Sequence, residues 1–222
     1  VSGLALTGMI YASLIAIRQD DIKRLVAYSS IAHIGMMCLA IFANTESGMK
    51  GAMVQMFNHG INIIGLWIVV EFIEKQYGTR KMSGLGGLAQ KAPSMAIMLV
   101  VMAFANIALP LTNSFIGEFL MFNGIWSSTI TQYNVVFTVI AGLTIILGAI
   151  YTLNMVQKTI LGNFNPSLTA SVDLRGNEKL ALTVIVILVL ALGIYPAPLF
   201  ELTQSSVTEV LEKIHIDLTP KN

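Results

Sequence analysis

Apolar residues dominate the chain in runs of about 20, separated by short polar clusters, and each run is long enough to cross a hydrocarbon core of roughly 30 Å. The runs are Val1–Ile17, about Leu25–Ala43, about Gly51–Val70, Met95–Trp126, about Val135–Leu161 and about Leu180–Phe200. They predict an all-α polytopic membrane protein with about six transmembrane helices. The first run lies at the short limit for a span. It opens "VSGLALTG", without a methionine and already apolar, so the chain is expected to be cut from a longer protein. The last run closes on "IYPAPLF", where Pro196 and Pro198 should stop the helix. Residues 1–200 are therefore expected to form the transmembrane domain. Residues 201–222 mix polar and apolar positions and are expected to form a surface or interfacial tail, helical over Glu201–Leu218.

Composition agrees. The chain is 55% hydrophobic and 11% charged, against roughly 25% charged in soluble domains. Its net charge of +1 gives no reason to expect nucleic acid or an acidic substrate. The single cysteine, Cys38, rules out an internal disulfide. The cations are not spread evenly. Arg18, Lys23 and Arg24 lie between runs one and two, and Lys75, Arg80, Lys81 and Lys91 between three and four. Lys158, Arg175 and Lys179 lie at or between five and six, leaving only Lys50, Lys213 and Lys221 on the other side. By the positive-inside rule the first set faces the cytoplasm, and both ends of the chain face outward.

Ionisable groups at membrane depth are costly and usually face a bundle interior or a watery cavity. His33 and His59 each lie roughly 12 Å into their runs at 1.5 Å per residue, near the midplane. Around His59, "QMFNHGIN" sets Gln55, Asn58, His59 and Asn62 at helical spacing, a polar stripe along one side. Two readings are open for these residues. They can be helix–helix glue beside Gly60 and Gly65, or, for the histidines, groups that titrate near neutral pH and pass protons.

The fourth run is unusual. As one helix Met95–Trp126 would be roughly 48 Å long, and "FANIALPLTNSFIGEFLMF" places Pro110, Thr112, Asn113 and Glu118 inside it. Proline removes a backbone donor and crowds the preceding turn, and "TNS" offers caps for a fresh helix start. Two half-helices are expected, with a break around Ala108 to Asn113. Irregular backbone at membrane depth is tolerated only within protein or beside a watery cavity, and transporters place such breaks at binding sites. Burial and the positive end of the second half-helix would act in opposite senses on the Glu118 carboxyl, suiting it to change protonation in a cycle. The bland alternative is a proline kink with a glutamate bonded to a neighbouring helix.

Other features carry less. Glu71 and Glu74 fall at the end of the third run and can reach the interface. "GLGGL" lacks the lysine and hydroxyl of a phosphate loop. No metal-ligand cluster, nucleophile triad or nucleotide fingerprint is written in the sequence, so chemistry on a soluble substrate is not expected.

Three stretches, "DDIKRLVAYSSIAHIGMM", "QMFNHGINIIGLW" and "LPLTNSFIGEF", resemble the proton-pumping, antiporter-like subunits of respiratory complex I, the NADH:quinone oxidoreductase. They are most similar to the M type, equivalent to mitochondrial subunit 4. L- and N-type subunits use lysine where this chain has Glu118. The L type and its antiporter relatives tend to carry lysine where this chain has Ile63. The resemblance implies a C-terminal portion of a roughly fourteen-helix subunit, holding the second inverted repeat and the last helix. It assigns Glu118 as the terminal proton carrier, His33 and His59 to the central hydrophilic axis, and Lys23 to the proton path. It implies no cofactor in this chain, with NADH, flavin, iron–sulfur clusters and quinone in partner subunits. The partners would be other membrane subunits, including the L- and N-type, in a bacterial inner membrane. A subunit of a multisubunit cation/proton antiporter or a membrane-bound hydrogenase, and a non-conducting membrane scaffold, remain open alternatives. One departure stands out: the family usually has Pro-Gly-Thr at the break, and this chain has Pro110-Leu111-Thr112, which narrows the backbone open to residue 111.

Overall fold

A computed structural model describes residues 1–168 and 173–218. Its elements in order are α1 (Ser2–Arg18), α2 (Ile22–Phe42), α3 (Glu46–Tyr77), α4 (Pro93–Asn106), α5 (Asn113–Trp126), α6 (Asn134–Ile160), α7 (Gly176–Ile194) and α8 (Ala197–Leu218). Two short 3-10 turns, Met82–Gly84 and Leu88–Gln90, lie between α3 and α4. Among the described residues the only β pairing is an isolated bridge between Asp21 and Lys81. Helices α2, α3, α6 and α7 are each long and apolar enough to cross a bilayer. Helices α4 and α5 have 14 residues each, roughly 21 Å, so they cross only as a pair. The protein is an all-α integral membrane protein whose fourth crossing is discontinuous.

Two elements differ from the hydropathy reading. Helix α3 runs for 32 residues, beyond Gly51–Val70 at both ends. Thr45 caps its start by accepting from the Gly48 amide at 3.2 Å, and Gly78 ends it in the left-handed region at φ 66°. The last crossing stops at Ile194, and Phe200, which hydropathy placed in it, belongs to α8. Pro196 causes this change: its carbonyl accepts from the Leu199 and Phe200 amides and starts a new helix. Helix α8 then lies along α3, with Leu199 and Val207 buried. The Lys50 Nζ donates to Gln204 Oε1 and sits 5.3 Å from the Phe200 ring. The last four positions of the 201–222 tail, 219–222, lie outside the described residues.

Helices α3 and α5 make the most extensive contact between helices among the described residues. A Cβ on Gly51 would come within 2.7 Å of the Met121 amide and 2.9 Å of the Gly117 carbonyl, and Gly124 lies against the Gly48 backbone. Without a hydrophobic drive between helices in lipid, small residues that let main chains touch hold such interfaces.

That seam positions the break. Helix α4 ends in a Schellman motif: Leu109 N–H donates to Phe104 O at 3.1 Å and Ala108 N–H to Ala105 O at 3.2 Å. Ala108, at φ 53°, occupies the position usually given to glycine. A tight turn follows, closed by Thr112 N–H to Leu109 O at 3.0 Å. It has proline at its second residue and Leu111 at its third with φ 75°, the pattern of a type II turn, whose third residue prefers glycine. The break therefore spans residues 107–112. Asn113, expected within it, is the first residue of α5, and Thr112 is the N-cap. The Thr112 hydroxyl does not cap; it donates back to Leu109 O at 2.6 Å. Gly193 of α7 backs directly onto the Leu111 carbonyl, where a Cβ would collide.

The basic-loop end is knitted by long-range hydrogen bonds. Arg80 Nε donates to Asp21 Oδ2 at 2.6 Å, and the Ser83 amide donates to Asp20 Oδ1 at 2.8 Å. Asp173, from the loop before α7, accepts from the Ser94 and Met95 amides at the start of α4, at 2.8 and 3.1 Å. Burial pushes the Asp173 carboxyl up, but amide hydrogen bonds from Ser94, Leu174 and Met95 outweigh it and hold it below the usual carboxylate range.

A depressed folded-state pKa stabilises above the unfolded value, and that stability is lost as pH falls through the folded value. Asp173→Ala should therefore cost about 1 kcal/mol at neutral pH, as for loss of a helix cap. The gap to the parent should close in acid, read by thermal unfolding of the purified protein in detergent across pH. Leu111→Gly should raise stability by up to about 1 kcal/mol. Relief of a left-handed residue, roughly 1–2 kcal/mol, exceeds the added backbone freedom of glycine, roughly 0.5–1 kcal/mol. Because Leu111 is 68% exposed, little burial is lost; an unchanged unfolding midpoint would remove the strain argument.

Candidate proton site at the broken helix

Three helices bring ionisable side chains together beside the break. His33 stands midway along α2, His59 midway along α3, and Glu118 in the second turn of α5. The His33 Nδ1 lies 3.4 Å from Glu118 Oε1, and the two imidazole rings are 5.0 Å apart between centroids, tilted by 41°. Glu118 is 5% exposed. It faces His33 from the second turn of the half-helix that follows the break. A cavity of about 20 Å³ touches His33, Glu118, Asn106, Thr144 and Tyr151, space for about one water. On its basic-end side, Ser29 accepts from Tyr151 Oη and from Asn106 Nδ2, both at 3.1 Å.

Two other members of the α3 stripe, Asn58 and Asn62, serve the break. Asn58 Nδ2 donates to the Asn113 carbonyl at 2.7 Å, and Asn113 Nδ2 donates to the Asn58 carbonyl at 3.3 Å. Asn62 Nδ2 donates to the Ala105 carbonyl at 3.1 Å and to Ser114 Oγ at 2.8 Å. Asn58 and Asn62 thus act as glue, and specifically as partners for main chain and side chain on both sides of the break. His59 points away from them, toward His33.

Lys23 stands apart, ten residues before His33 and roughly 15 Å along α2. Its ammonium pairs with Glu71 at 2.7 Å and with Glu74, and sits 5.5 Å from the Trp67 ring. Lys75 extends the network through Glu71, and Arg80 joins Glu74 to Asp21. The lysine is therefore a member of an ion network at the basic end, not a neighbour of the two histidines. Among the described residues no cluster of histidine, cysteine and carboxylate ligands is arranged to hold a metal ion.

Residues 1–144, which contain His33, His59 and Glu118, match the family described as "NADH:quinone oxidoreductase/Mrp antiporter, TM". The chain belongs to this family. It is 36% identical over 211 residues to NADH-quinone oxidoreductase subunit M of Rickettsia felis, covering 95% of this chain and 42% of the relative. The match to subunit M of Rhodobacter capsulatus is 34% identical and covers 97% and 41%. The chain thus spans about two-fifths of the length of these relatives. Among solved structures it is similar to a chain of respiratory complex I from Thermus thermophilus with bound NADH. There the TM-score is 0.81 at 26% identity, covering 93% of this chain and 44% of that one. A chain of the Mrp complex from Dietzia sp. shares the fold, with a TM-score of 0.86 at 16% identity and coverage of 96% and 47%.

Three residues around the Glu118 cavity escaped the sequence reading: Asn106 and Tyr151, which line it, and Ser29, which bonds to both. The signals were faint. Ser29 precedes His33 by one helical turn, Asn106 is the last residue of α4, and Tyr151 is the one aromatic hydroxyl of α6. Glu71 and Glu74, read as interfacial, are the partners of Lys23.

If Asn62 satisfies the break, Asn62→Leu leaves the Ala105 carbonyl and Ser114 hydroxyl without that donor. The cost should be about 1–3 kcal/mol, the range for a buried polar group left unpaired. Equilibrium unfolding in detergent measures it, and a midpoint within error of the parent would count against the backbone role.

Proposed function

We propose that this chain is the proton-conducting C-terminal part of a membrane subunit of a proton-translocating NADH:quinone oxidoreductase. The observation that carries the reading is the approach of His33 Nδ1 to Glu118 Oε1 at 3.4 Å, beside a broken helix, with the His59 ring 5.0 Å from His33. Each group can hold one proton. A proton on His33 faces the Glu118 carboxylate; its transfer leaves a neutral imidazole and a neutral acid, and His59 is placed to reload His33. Lys23, set between Glu71 and Glu74, takes the basic-end side of the route, where carboxylates at the surface gather protons. The transfers among His59, His33 and Glu118 run between neighbouring acids and bases, whereas Lys23 stands roughly 15 Å further along α2.

The relatives identified as subunit M support the respiratory assignment, since the likeness to the Mrp complex rests on fold. In this reading the enzyme is a translocase. NADH oxidation and quinone reduction occur elsewhere, with flavin, iron–sulfur clusters and quinone held by partner subunits. The neighbours are other membrane subunits, the L- and N-type among them, in a bacterial inner membrane.

Glu118→Gln, in the complete subunit within the assembled enzyme, is the direct test. In proteoliposomes, NADH-driven proton translocation should fall several-fold, and Glu118→Asp should recover part of it. Translocation at the parental rate in the glutamine variant would favour the non-conducting scaffold and overturn the proposal.

A further inference from the structure

Two directions lead from Glu118 toward the end of the bundle opposite the basic loops, and they are built differently. One follows the seam between α3 and α5. There Gly48, Gly51, Gly117 and Gly124 bring main chain against main chain or against Gln55, and that path opens only if the helices separate. The other runs between α1, α2, α5 and α6 and has three levels. The first is the cavity holding His33, Glu118, Thr144 and Tyr151. The second is apolar: Met9, Met36, Met121 and Ala141 are all at most 3% exposed and share one hydrophobic cluster. Met36 and Met121 each lie three residues beyond His33 and Glu118 on their helices. The third is a vestibule of about 260 Å³ lined by Leu39, Phe42, Ile125, Ser128, Thr131 and Asn134 among others. From Glu118 to Ile125 the column is roughly 10 Å long.

We propose that protons leave Glu118 along this column, and that Met9, Met36 and Met121 form a hydrophobic gate between the proton site and the vestibule. The proposal rests on the reading of Glu118 as a proton carrier. A dry apolar constriction breaks a water wire, and its wetting restores one. Methionine is well suited to such a gate, because an unbranched side chain with three rotatable bonds can swing aside without moving a helix. Met9 already rests in the notch left by Gly35, where a Cβ would strike its side chain. The glycine seam closes largely main chain on main chain, which no side-chain rotation opens. A gate that stays dry except when Glu118 discharges would also keep protons from flowing back.

The test uses the assembled enzyme in proteoliposomes. Met36→Ser should let an imposed pH gradient decay several-fold faster without NADH, and adding Glu118→Gln to it should remove that leak. Ala141→Ser, a nearly isosteric polar change at the same level, should leak in the same sense and guards against misfolding of the first variant. Gradients held as tightly as in the parent by both serine variants, in enzyme that still oxidises NADH, would overturn the gate. A leak that survives Glu118→Gln would overturn it too, because the protons would then bypass Glu118. The single Glu118→Gln variant keeps the two failures apart. Its loss of pumping alongside tight serine variants removes the gate alone, whereas its normal pumping removes the reading beneath it.

Discussion

Everything at the centre of this molecule depends on satisfying the backbone where the fourth crossing is interrupted. At membrane depth water is scarce, and each unpaired carbonyl or amide costs several kcal/mol, so continuous helices are the default. Here α4 stops at Asn106 and α5 starts at Asn113. The freed groups are met locally by the Schellman bonds and the turn at Leu109–Thr112, and at longer range by Asn58 and Asn62. The second contribution needs α3 within reach of α5. The glycines at 48, 51, 117 and 124 supply that closeness, so a seam of absent side chains carries the polar chemistry beside it.

Protein partners reach some polar atoms of this region and not others, in a patterned way. The side-chain oxygens of Asn58, Asn62, Asn106 and Asn113, and both polar atoms of Gln55, have no protein partner, and neither does His59 Nε2. The amide nitrogens of Asn58, Asn62 and Asn113 hold the break and that of Asn106 reaches Ser29, while the four oxygens are buried as acceptors. Buried acceptors of this kind are usually met by water. The interior around the histidines is therefore polar although the helices surrounding it are apolar.

Much of this was legible in the sequence. Pro110 inside an overlong apolar run reported a break, and a lone carboxylate shortly after it reported a site, because both violate rules that lipid enforces strictly. The two histidines were found by depth alone, one from each side. What escaped depends on rotation and distance that no single run contains. The stripe Gln55–Asn58–His59–Asn62 reads as one face, yet adjacent residues on a helix point about 100° apart. Asn58 accordingly turns to α5 while His59 turns to α2. Ser29, Asn106 and Tyr151 come from three helices and are unremarkable in each. The pairing of Lys23 with Glu71 and Glu74 spans 48 residues or more, and hydropathy ends α3 before those carboxylates because it cannot tell a charge in water from one in a pair.

Leu111 shows why the break persists despite its cost. With Ala108, it holds a positive φ without being glycine, at roughly 1–2 kcal/mol for each residue. Strained backbone survives where its surroundings over-determine it. Here the surroundings are specific: Pro110 fixes the preceding φ, Thr112 closes the turn twice onto Leu109, and Gly193 of α7 leaves no room for the Leu111 carbonyl to move. Removing the kink would rejoin α4 and α5 into one helix. It would withdraw the free helix start near Glu118 and shift the carboxylate away from His33. The break itself, rather than the strain it carries at Leu111, thus sets where Glu118 meets His33.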